Sequence, residues 1–304
     1  MTGSTRGSGD AFANGVAYGS GDGPVAGAAG PAALALHGVT VRFGGLVALD
    51  GLSFEVAPRS VFGVIGPNGA GKTTLLNVIS GFTTPTAGHV TVFGEKVPAG
   101  SVRGAALAGV ARTYQNVRLF PGLTVEENIV AGRYRHRRHG ALKALLCSPA
   151  ERRERRESYE RARHLMRRVG LDDSLAGRRA ETLSYGDQRR CEVARALATE
   201  PRVLLLDEPT AGMNAAESRA LGDLVLKLRD EGVTIVLVEH NMDIVQRYCE
   251  SAAVINFGRL LAAGPPRECL RRDDVREAYF GGRSDAERVR ALLRVREDKG
   301  APPG

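Results

Sequence analysis

Gly66-Pro67-Asn68-Gly69-Ala70-Gly71-Lys72-Thr73-Thr74 stands between two apolar runs, residues 61–65 before it and residues 75–79 after it. The order of apolar strand, glycine-rich turn and helix is the setting in which a phosphate-binding loop occurs. Glycines let backbone N–H groups point at an anion, and the helix N-terminus adds a positive end. A glycine-rich hairpin turn is the alternative, but the flanking strand and helix argue against it. Residues 66–74 therefore predict a nucleoside triphosphate site.

Two side chains in this loop have chemistry of their own. Lys72 offers a mobile positive charge to the β- and γ-phosphates, and the hydroxyl of Thr73 can bind Mg²⁺. Together with the loop backbone they predict phosphoryl chemistry.

Composition and charge limit the class of protein. The chain has 304 residues, 43% of them hydrophobic, which is enough for a buried core. Its net charge of +8 suits either nucleic acid or an anionic membrane surface, and charge alone does not choose between them. No apolar run reaches the roughly 18 residues that cross a bilayer, and no secretory signal is visible. The four cysteines lack metal-site spacing and are expected to be buried or incidental thiols in a reducing cytoplasm: Cys147, Cys191, Cys249 and Cys269.

The first half of the chain contains an expected tail, strands and a capped helix. Residues 1–32 are rich in Gly, Ala and Ser and predict a flexible tail. Leu34 to Val41 predicts an edge strand, and a turn at Asp50-Gly51 predicts the start of the next strand. Further on, residues 89–94 and 109–116 predict strands, and Thr124 with Glu127 predicts a helix capping box.

An arginine-rich segment follows from residue 133 to residue 170. Apolar residues at helical spacing predict an amphipathic helix over residues 151–169 with a basic outer face. Two interpretations remain open at this stage. The face is either solvated and laced with ion pairs such as Glu157 with Arg161, or it is attracted to lipid headgroups.

The second half reads as alternating strands and helices. Residues 203–208 form a continuous apolar run ending in two acids, which is typical of a parallel sheet covered on both faces. The remaining elements are predicted as a helix over 217–229, a strand over 233–238, short strands over 252–256 and 260–263, and helical segments ending near residue 280. Residues 282–304 predict a charged tail.

Polar side chains at the ends of these strands are the catalytic candidates. Asp207 is placed to hold Mg²⁺ opposite Thr73, and Glu208 is a candidate general base for an attacking water. His240 ends the next strand, where its imidazole can reach a γ-phosphate. Phe43 lies shortly before the loop and is either a ring that stacks on a purine or a core or turn aromatic.

A second anion site is predicted where residues 183–188 precede a helix. Ser184 and the backbone of Gly186 stand at the positive end of that helix. Read alone, Ser184 could simply be an N-cap. Two helix ends in one chain are hard to direct at one triphosphate, which suggests that this one serves a nucleotide held by another copy.

The ordered set of motifs resembles the ATP-binding cassette (ABC) ATPases. The motifs are residues 66–74, Gln115, residues 183–188, residues 204–208 and His240, and the resemblance covers residues 33–281. It implies an α/β fold with a P-loop NTPase (RecA-like) core, an antiparallel β edge subdomain and a helical subdomain over about 114–182. It also implies that Phe43 stacks on adenine and that Gln115 senses the γ-phosphate and Mg²⁺. ATP and Mg²⁺ are the implied cofactors.

The same resemblance implies a head-to-tail dimer. Each ATP would be gripped by the phosphate loop of one subunit and by Ser184 and Gly186 of the other. Within the family, several stretches resemble the G-type ATPase of branched-chain amino-acid importers: residues 42–46, 185–190, 211–214 and 238–242. The implied partners are integral-membrane permease subunits, an identical or sister ATPase and, indirectly, a substrate-binding protein, with no nucleic acid. The implied location is peripheral, on the inner face of the cell membrane.

Two residues depart from the family pattern. Asp187 stands where most signatures carry Gln or Glu, and Asn214 stands where most members place an Asp at the subunit interface. The alternatives are an ABC ATPase for urea, amides or lipopolysaccharide, one acting on nucleic acid or ribosomes, or a regulator that does not hydrolyse. One cassette, no sustained heptads and no paired cysteines argue against the nucleic-acid class. Glu208 and His240 argue against the regulator.

Overall fold

The computed structural model describes residues 31–133 and 149–280. The strands in these ranges are β1 Leu34–Phe43, β2 Leu46–Val56, β3 Val61–Ile65, β4 Ala87–Val92, β5 Glu95–Lys96, β6 Val110–Arg112, β7 Val203–Asp207, β8 Thr234–Val238, β9 Ser251–Asn256 and β10 Arg259–Gly264. The helices are α1 Lys72–Ile79, α2 Val102–Leu107, α3 Val125–Gly132, α4 Pro149–Arg168, α5 Tyr185–Leu197, α6 Ala215–Asp230, α7 Met242–Tyr248, α8 Pro266–Cys269 and α9 Asp273–Phe280.

The central sheet has the strand order β10-β9-β3-β8-β7-β6. Every neighbouring pair is parallel except β9 with β10. All residues of β3, β7 and β8 are buried, as expected of apolar strands covered on both faces, and the predicted parallel sheet is confirmed. Because parallel strands end at one edge, the segments that follow β3, β7 and β8 come together there.

A second sheet, order β2-β1-β4-β5, is antiparallel. The prediction that Leu34 to Val41 forms an edge strand is wrong, because β1 pairs with β2 on one side and with β4 on the other. The β4 partner lies about fifty residues further along the chain, so local pattern alone does not reveal it.

The predicted turn at Asp50-Gly51 is also wrong. The chain reverses at Gly44-Gly45, and β2 continues from Leu46 through to Val56. Gly51 has φ 64°, and the β1–β2 ladder shifts register in this region. Its N–H donates to the hydroxyl of Thr40 at 3.0 Å. The irregularity is therefore absorbed inside a strand instead of ending it.

Helices α3, α4 and α5 pack together beside the central sheet. Ile129, Met166 and Cys191, one from each helix, are fully buried in the same core cluster. The predicted capping box is confirmed, because the Thr124 hydroxyl accepts from the Glu127 N–H while the Glu127 carboxylate accepts from the Thr124 N–H.

The predicted amphipathic helix is found as α4, but the proposed pair of Glu157 with Arg161 is wrong. Glu157 instead accepts from Arg153 one turn earlier at 3.1 Å. Arg161 reaches Glu200, on the loop after α5, at 3.1 Å. Arg161 thus pairs with an acid on a neighbouring segment, and the sequence of α4 alone does not reveal that partner.

Several predictions fall outside the described residues. These are residues 1–30 of the predicted tail over residues 1–32, residues 134–148 with Cys147, and the predicted charged tail over residues 282–304. The other three cysteines are buried and free, as predicted: Cys191, Cys249 and Cys269. Within residues 31–133 and 149–280, none of the helices combines the length and the apolar character that a bilayer span requires.

Candidate nucleotide site

The phosphate loop joins β3 to α1, and two of its glycines are required by neighbouring backbone. Gly71 caps α1 with φ 103°, and a Cβ there would lie 2.7 Å from the carbonyl oxygen of Ala48. A Cβ on Gly66 would lie 2.2 Å from the carbonyl oxygen of Ile255. The loop is thus wedged between β2 and β9. Sequence analysis attributed these glycines to anion binding alone, but the close approach of neighbouring backbone also leaves no room for a Cβ at either position.

Lys72 is held on the inner side of the loop. Its side chain is largely buried, and its ammonium donates to the carbonyl oxygens of Gly66 at 2.6 Å and of Pro67 at 2.9 Å. Burial lowers the pKa of Lys72, while the negative charges of Glu208 and Asp207 act in the opposite direction. Sequence analysis predicted that these two carboxylates share a site with this lysine.

Three predicted catalytic residues meet at one carboxylate. The amide Nε2 of Gln115 donates to Glu208 Oε2 at 2.8 Å, and His240 Nδ1 lies 3.6 Å from the same oxygen. Glu208 follows β7 with φ 44°, a left-handed conformation that is uncommon for residues other than glycine. The extended backbone of β7 therefore ends at Asp207, and the chain bends at Glu208. Local strain of this kind is typical of functional positions.

Asp207 has a partner that sequence analysis missed. Arg112, at the end of β6, pairs with Asp207 Oδ2 at 2.9 Å, and both side chains are more than nine-tenths buried. The same guanidinium donates to Asn77 Oδ1 at 2.7 Å, which connects it to α1. A signal was available, since an arginine ending a short buried strand needs an acid nearby.

Two more residues predicted to contact the nucleotide, Thr73 and Phe43, are both exposed. Thr73 is exposed at the first turn of α1, so its hydroxyl is accessible to solvent. Phe43 ends β1 beside the Gly44-Gly45 turn with 52% of its surface exposed. The ring is therefore not a core aromatic, while stacking on a purine and a role as a turn aromatic both fit its position.

Ser184 is the N-cap of α5. Its hydroxyl accepts from the Asp187 N–H at 3.2 Å and lies 2.8 Å from Asp187 Oδ2, to which it donates. Within the chain the N-cap interpretation is therefore observed, and Asp187 orients the Ser184 hydroxyl. Gly186 lies in the first turn, where a Cβ would be 3.4 Å from the carboxylate of Glu217.

A buried acid beside His240 also escaped sequence analysis. Glu239 is fully buried at the end of β8. Its Oε1 accepts from the N–H of Thr210 at 3.0 Å and from the Thr210 hydroxyl at 2.7 Å. Burial raises the pKa of Glu239, which these two hydrogen bonds partly oppose. Glu239 thereby connects the segment after Glu208 to the segment that carries His240.

The family described as ABC transporter matches residues 49–211, more than half of the chain. The high-affinity branched-chain amino acid transport ATP-binding protein BraF of Pseudomonas aeruginosa is 44% identical over 249 residues, covering 82% of this chain and 97% of BraF. The corresponding LivG protein of Escherichia coli K12 is 40% identical over 249 residues, covering 82% of this chain and 97% of LivG.

Solved structures agree with the sequence relatives. A nucleotide-free ATP-binding cassette from an ABC transporter superposes with a TM-score of 0.72 at 30% identity, covering 83% of this chain and all of that one. A dimeric bacterial ABC transporter cassette superposes with a TM-score of 0.65 at 25% identity, covering 77% of this chain and 99% of that one. With its phosphate loop, its parallel core sheet and its acids and histidine at one sheet edge, this chain belongs to the ABC transporter family, as an ATPase cassette of that family.

Proposed function

We propose that this chain hydrolyses ATP to drive import of branched-chain amino acids. The support for the cargo is the similarity to BraF and LivG, whose names state that transport. The support for hydrolysis is the single oxygen, Glu208 Oε2, to which Gln115 donates and which His240 approaches. The same similarity supports permease subunits in the membrane as partners, a substrate-binding protein acting through them, and a location on the inner face of the membrane.

In the proposed reaction, Glu208 polarises and orients a water for attack on the γ-phosphate. Its carboxylate is only 16% exposed, so it is poised at the rim of the site and not in bulk solvent. His240, 58% exposed, can turn towards the γ-phosphate from the neighbouring strand end. Lys72 would exchange its two carbonyl partners for phosphate oxygens, since an ammonium bonds more strongly to an anion than to a neutral carbonyl.

The donors of the site fit Mg²⁺, which prefers oxygen ligands and keeps several waters. They are the hydroxyl of Thr73, the amide oxygen of Gln115 and the carboxylate of Asp207. The pair with Arg112 uses Asp207 Oδ2 and not Oδ1. When bound, Mg²⁺ would neutralise charge on the β- and γ-phosphates. Asp207, held by Arg112, is then suited to contact the metal through water.

We further propose that two copies, or this chain and a sister ATPase, share two ATP molecules head to tail. Ser184 and Gly186 begin the 13-residue helix α5, whose N-terminal end attracts phosphate. In this arrangement they face the triphosphate held by the partner's phosphate loop. The Asp187 contact orients the Ser184 hydroxyl for that purpose.

Docking of the permease is proposed on the helical subdomain, about residues 114–182. Exposed apolar side chains lie within or beside it: Phe82 at 55%, Phe120 at 52% and Leu123 at 37% exposed. Exposed apolar side chains suit contact with a short helix of a membrane partner. Tyr114 meets Phe82 edge to face, with ring centroids 6.3 Å apart, and so connects Phe82 to the loop of Gln115.

The substitution Glu208→Gln tests the proposed catalysis. ATP should still bind, but steady turnover should fall at least 100-fold, the contribution expected of a general base. The variant should also accumulate as a dimer with ATP in gel filtration. Glu95→Gln, on the exposed strand β5, is the matched control and should hydrolyse at the parental rate. A Glu208→Gln protein that turns over normally would refute the assignment.

The cargo needs a transport assay. Reconstituted with its permeases and binding protein in liposomes, the chain should hydrolyse ATP in response to leucine, isoleucine or valine. Stimulation by urea or an amide, with no response to those amino acids, would refute the branched-chain cargo while leaving the ATPase assignment intact.

A further inference from the structure

A fully buried ion pair lies on α5, the helix that Ser184 caps. Arg189 is fully buried and pairs with Glu192, also buried, at 3.0 Å. Both stand in the first two turns of α5. Taking two charges out of water is costly and is offset only when further hydrogen bonds satisfy them. The further hydrogen-bond partners of Arg189 and Glu192 therefore indicate the role of this ion pair.

Those partners are the backbone of the loop that carries Gln115. Arg189 donates to the carbonyl oxygens of Tyr114 and Gln115. Glu192 Oε1 lies 3.3 Å from the N–H groups of Tyr114 and Arg118, both of which donate to it. One ion pair thus holds both ends of residues 114–118. Since these bonds lie in a region of low dielectric, they resist deformation.

Tyr185 adds a third connection. Arg189 Nη2 lies 3.1 Å from the Tyr185 hydroxyl, which accepts from it. The Tyr185 ring lies beside Gly212, because a Cβ on Gly212 would be 3.7 Å from ring atom Cε1. Gly212 belongs to the segment between Glu208 and α6. The residue next to Ser184 is therefore in contact with both the Arg189 pair and the loop that follows the candidate base.

We infer that Arg189 and Glu192 are positioning residues that make the Gln115 loop and the start of α5 move as one body, with Tyr185 extending that body to Gly212. Binding of a γ-phosphate at Gln115 then displaces Ser184 and Gly186 towards the nucleotide of the other copy. This inference rests on the proposed function. It assigns to a named side-chain cluster the coupling between the two nucleotide sites of a dimer.

The test is Arg189→Lys in the Glu208→Gln background. Lysine keeps the charge that Glu192 needs but has no fork with which to hold two carbonyl oxygens at once. Binding of a fluorescent ATP analogue to the monomer should change less than twofold. The ATP concentration for half-maximal dimer formation, followed by gel filtration, should rise at least tenfold.

Arg163→Lys in the same background is the matched control. Arg163 is an exposed arginine of α4 that pairs with Glu126 at 3.1 Å, outside the cluster. Its dimer formation should match the Glu208→Gln parent. If the parent and this control fail to form an ATP-dependent dimer, the proposed function fails. If they form it and Arg189→Lys forms it at the same ATP concentration, only the present inference is overturned.

A purely structural role is separated by a double-mutant cycle with Gln115→Ala. If Arg189 acts through the Gln115 loop, Arg189→Lys adds less than twofold to the effect of Gln115→Ala on dimer formation. Fully multiplicative effects would overturn the inference. Should Arg189→Lys not fold, Tyr185→Phe replaces it. Loss of that hydroxyl should raise the required ATP about threefold with monomer binding unchanged, and an unchanged requirement would overturn the inference.

Discussion

The Arg112–Asp207 pair allows a quantitative test of how the magnesium-side acid is held. Among the other Arg–Asp pairs of the described residues, Arg259 with Asp50 at 2.7 Å is an exposed counterpart. Side-chain exposure is 5% and 9% in the first pair but 72% and 32% in the second. Methionine has an apolar chain similar to the aliphatic part of arginine but carries no charge. Arg112→Met and Arg259→Met therefore differ chiefly in the electrostatic cost of leaving the aspartate without its partner.

The electrostatic cost of removing the arginine depends on how deeply each pair is buried. Removing one partner of a buried pair costs about 3–5 kcal/mol, because the remaining charge stays buried and unpaired. Arg112 also donates to Asn77 and Ser80, at 2.7 and 3.3 Å, and these acceptors lose their donor. Asp207 lies at the site edge and can recruit water, so we expect the lower end, about 3 kcal/mol. An exposed pair contributes about 0–1 kcal/mol.

The assay is urea unfolding followed by far-ultraviolet circular dichroism, since the chain contains no tryptophan. Arg112→Met should lose about 3 kcal/mol of unfolding free energy, and Arg259→Met no more than about 1 kcal/mol. Arg112→Met should also need more Mg²⁺ for half-maximal ATPase activity, because Asp207 is no longer oriented. Equal losses in the two variants would refute the claim that burial makes the Arg112 pair important.

Two further substitutions test the backbone and the buried acid of the site. Gly71 has φ 103°, and a Cβ there would lie only 2.7 Å from Ala48 O, so Gly71→Ala should lose about 1–3 kcal/mol of stability and at least tenfold in ATP affinity. Gly177→Ala is the control, because a Cβ at that position meets nothing within 4 Å, and it should change neither quantity. Similar losses in the two variants would contradict the steric argument. Burial raises the pKa of Glu239 above 4.5, so its contribution to stability is complete below pH 4.5 and is lost as the pH rises through the folded-state pKa. Glu239→Gln removes this titration. The stability of the variant relative to the parent, measured by urea unfolding, should therefore rise from pH 4.5 to pH 8. Parallel stability profiles of variant and parent over this pH range would contradict the assigned role of Glu239.

Elements that depend on neighbours in sequence could be predicted. The phosphate loop needs its glycines and lysine within nine residues, and the capping box of α3 needs Thr124 and Glu127 three positions apart. The apolar run before Asp207 is typical of a strand covered on both faces, which it forms. As local elements these predictions were correct, because the energy that decides them comes from bonds within a few residues or from burial of a continuous apolar segment.

Partners distant in sequence could not be predicted. The edge-strand assignment of Leu34 to Val41 was wrong because the second partner of β1 is β4, and backbone pairing carries no local residue code. Arg189 looks in sequence like one surface residue among Gln188, Arg189 and Arg190, yet it is fully buried against backbone 74 and 75 positions away. Arg112 and Glu239 were missed for the same reason.

The sequence by itself determined which chemical groups this protein has and which local elements carry them: a phosphate loop, two acids ending a strand, a histidine ending another and a serine capping a helix. Only the tertiary structure decided which of those groups meet and which buried charges hold them. The reason is physical, because a buried charge is stable only beside its partner, and in this fold the parallel sheet and the packing of α5 bring those partners together from distant parts of the chain.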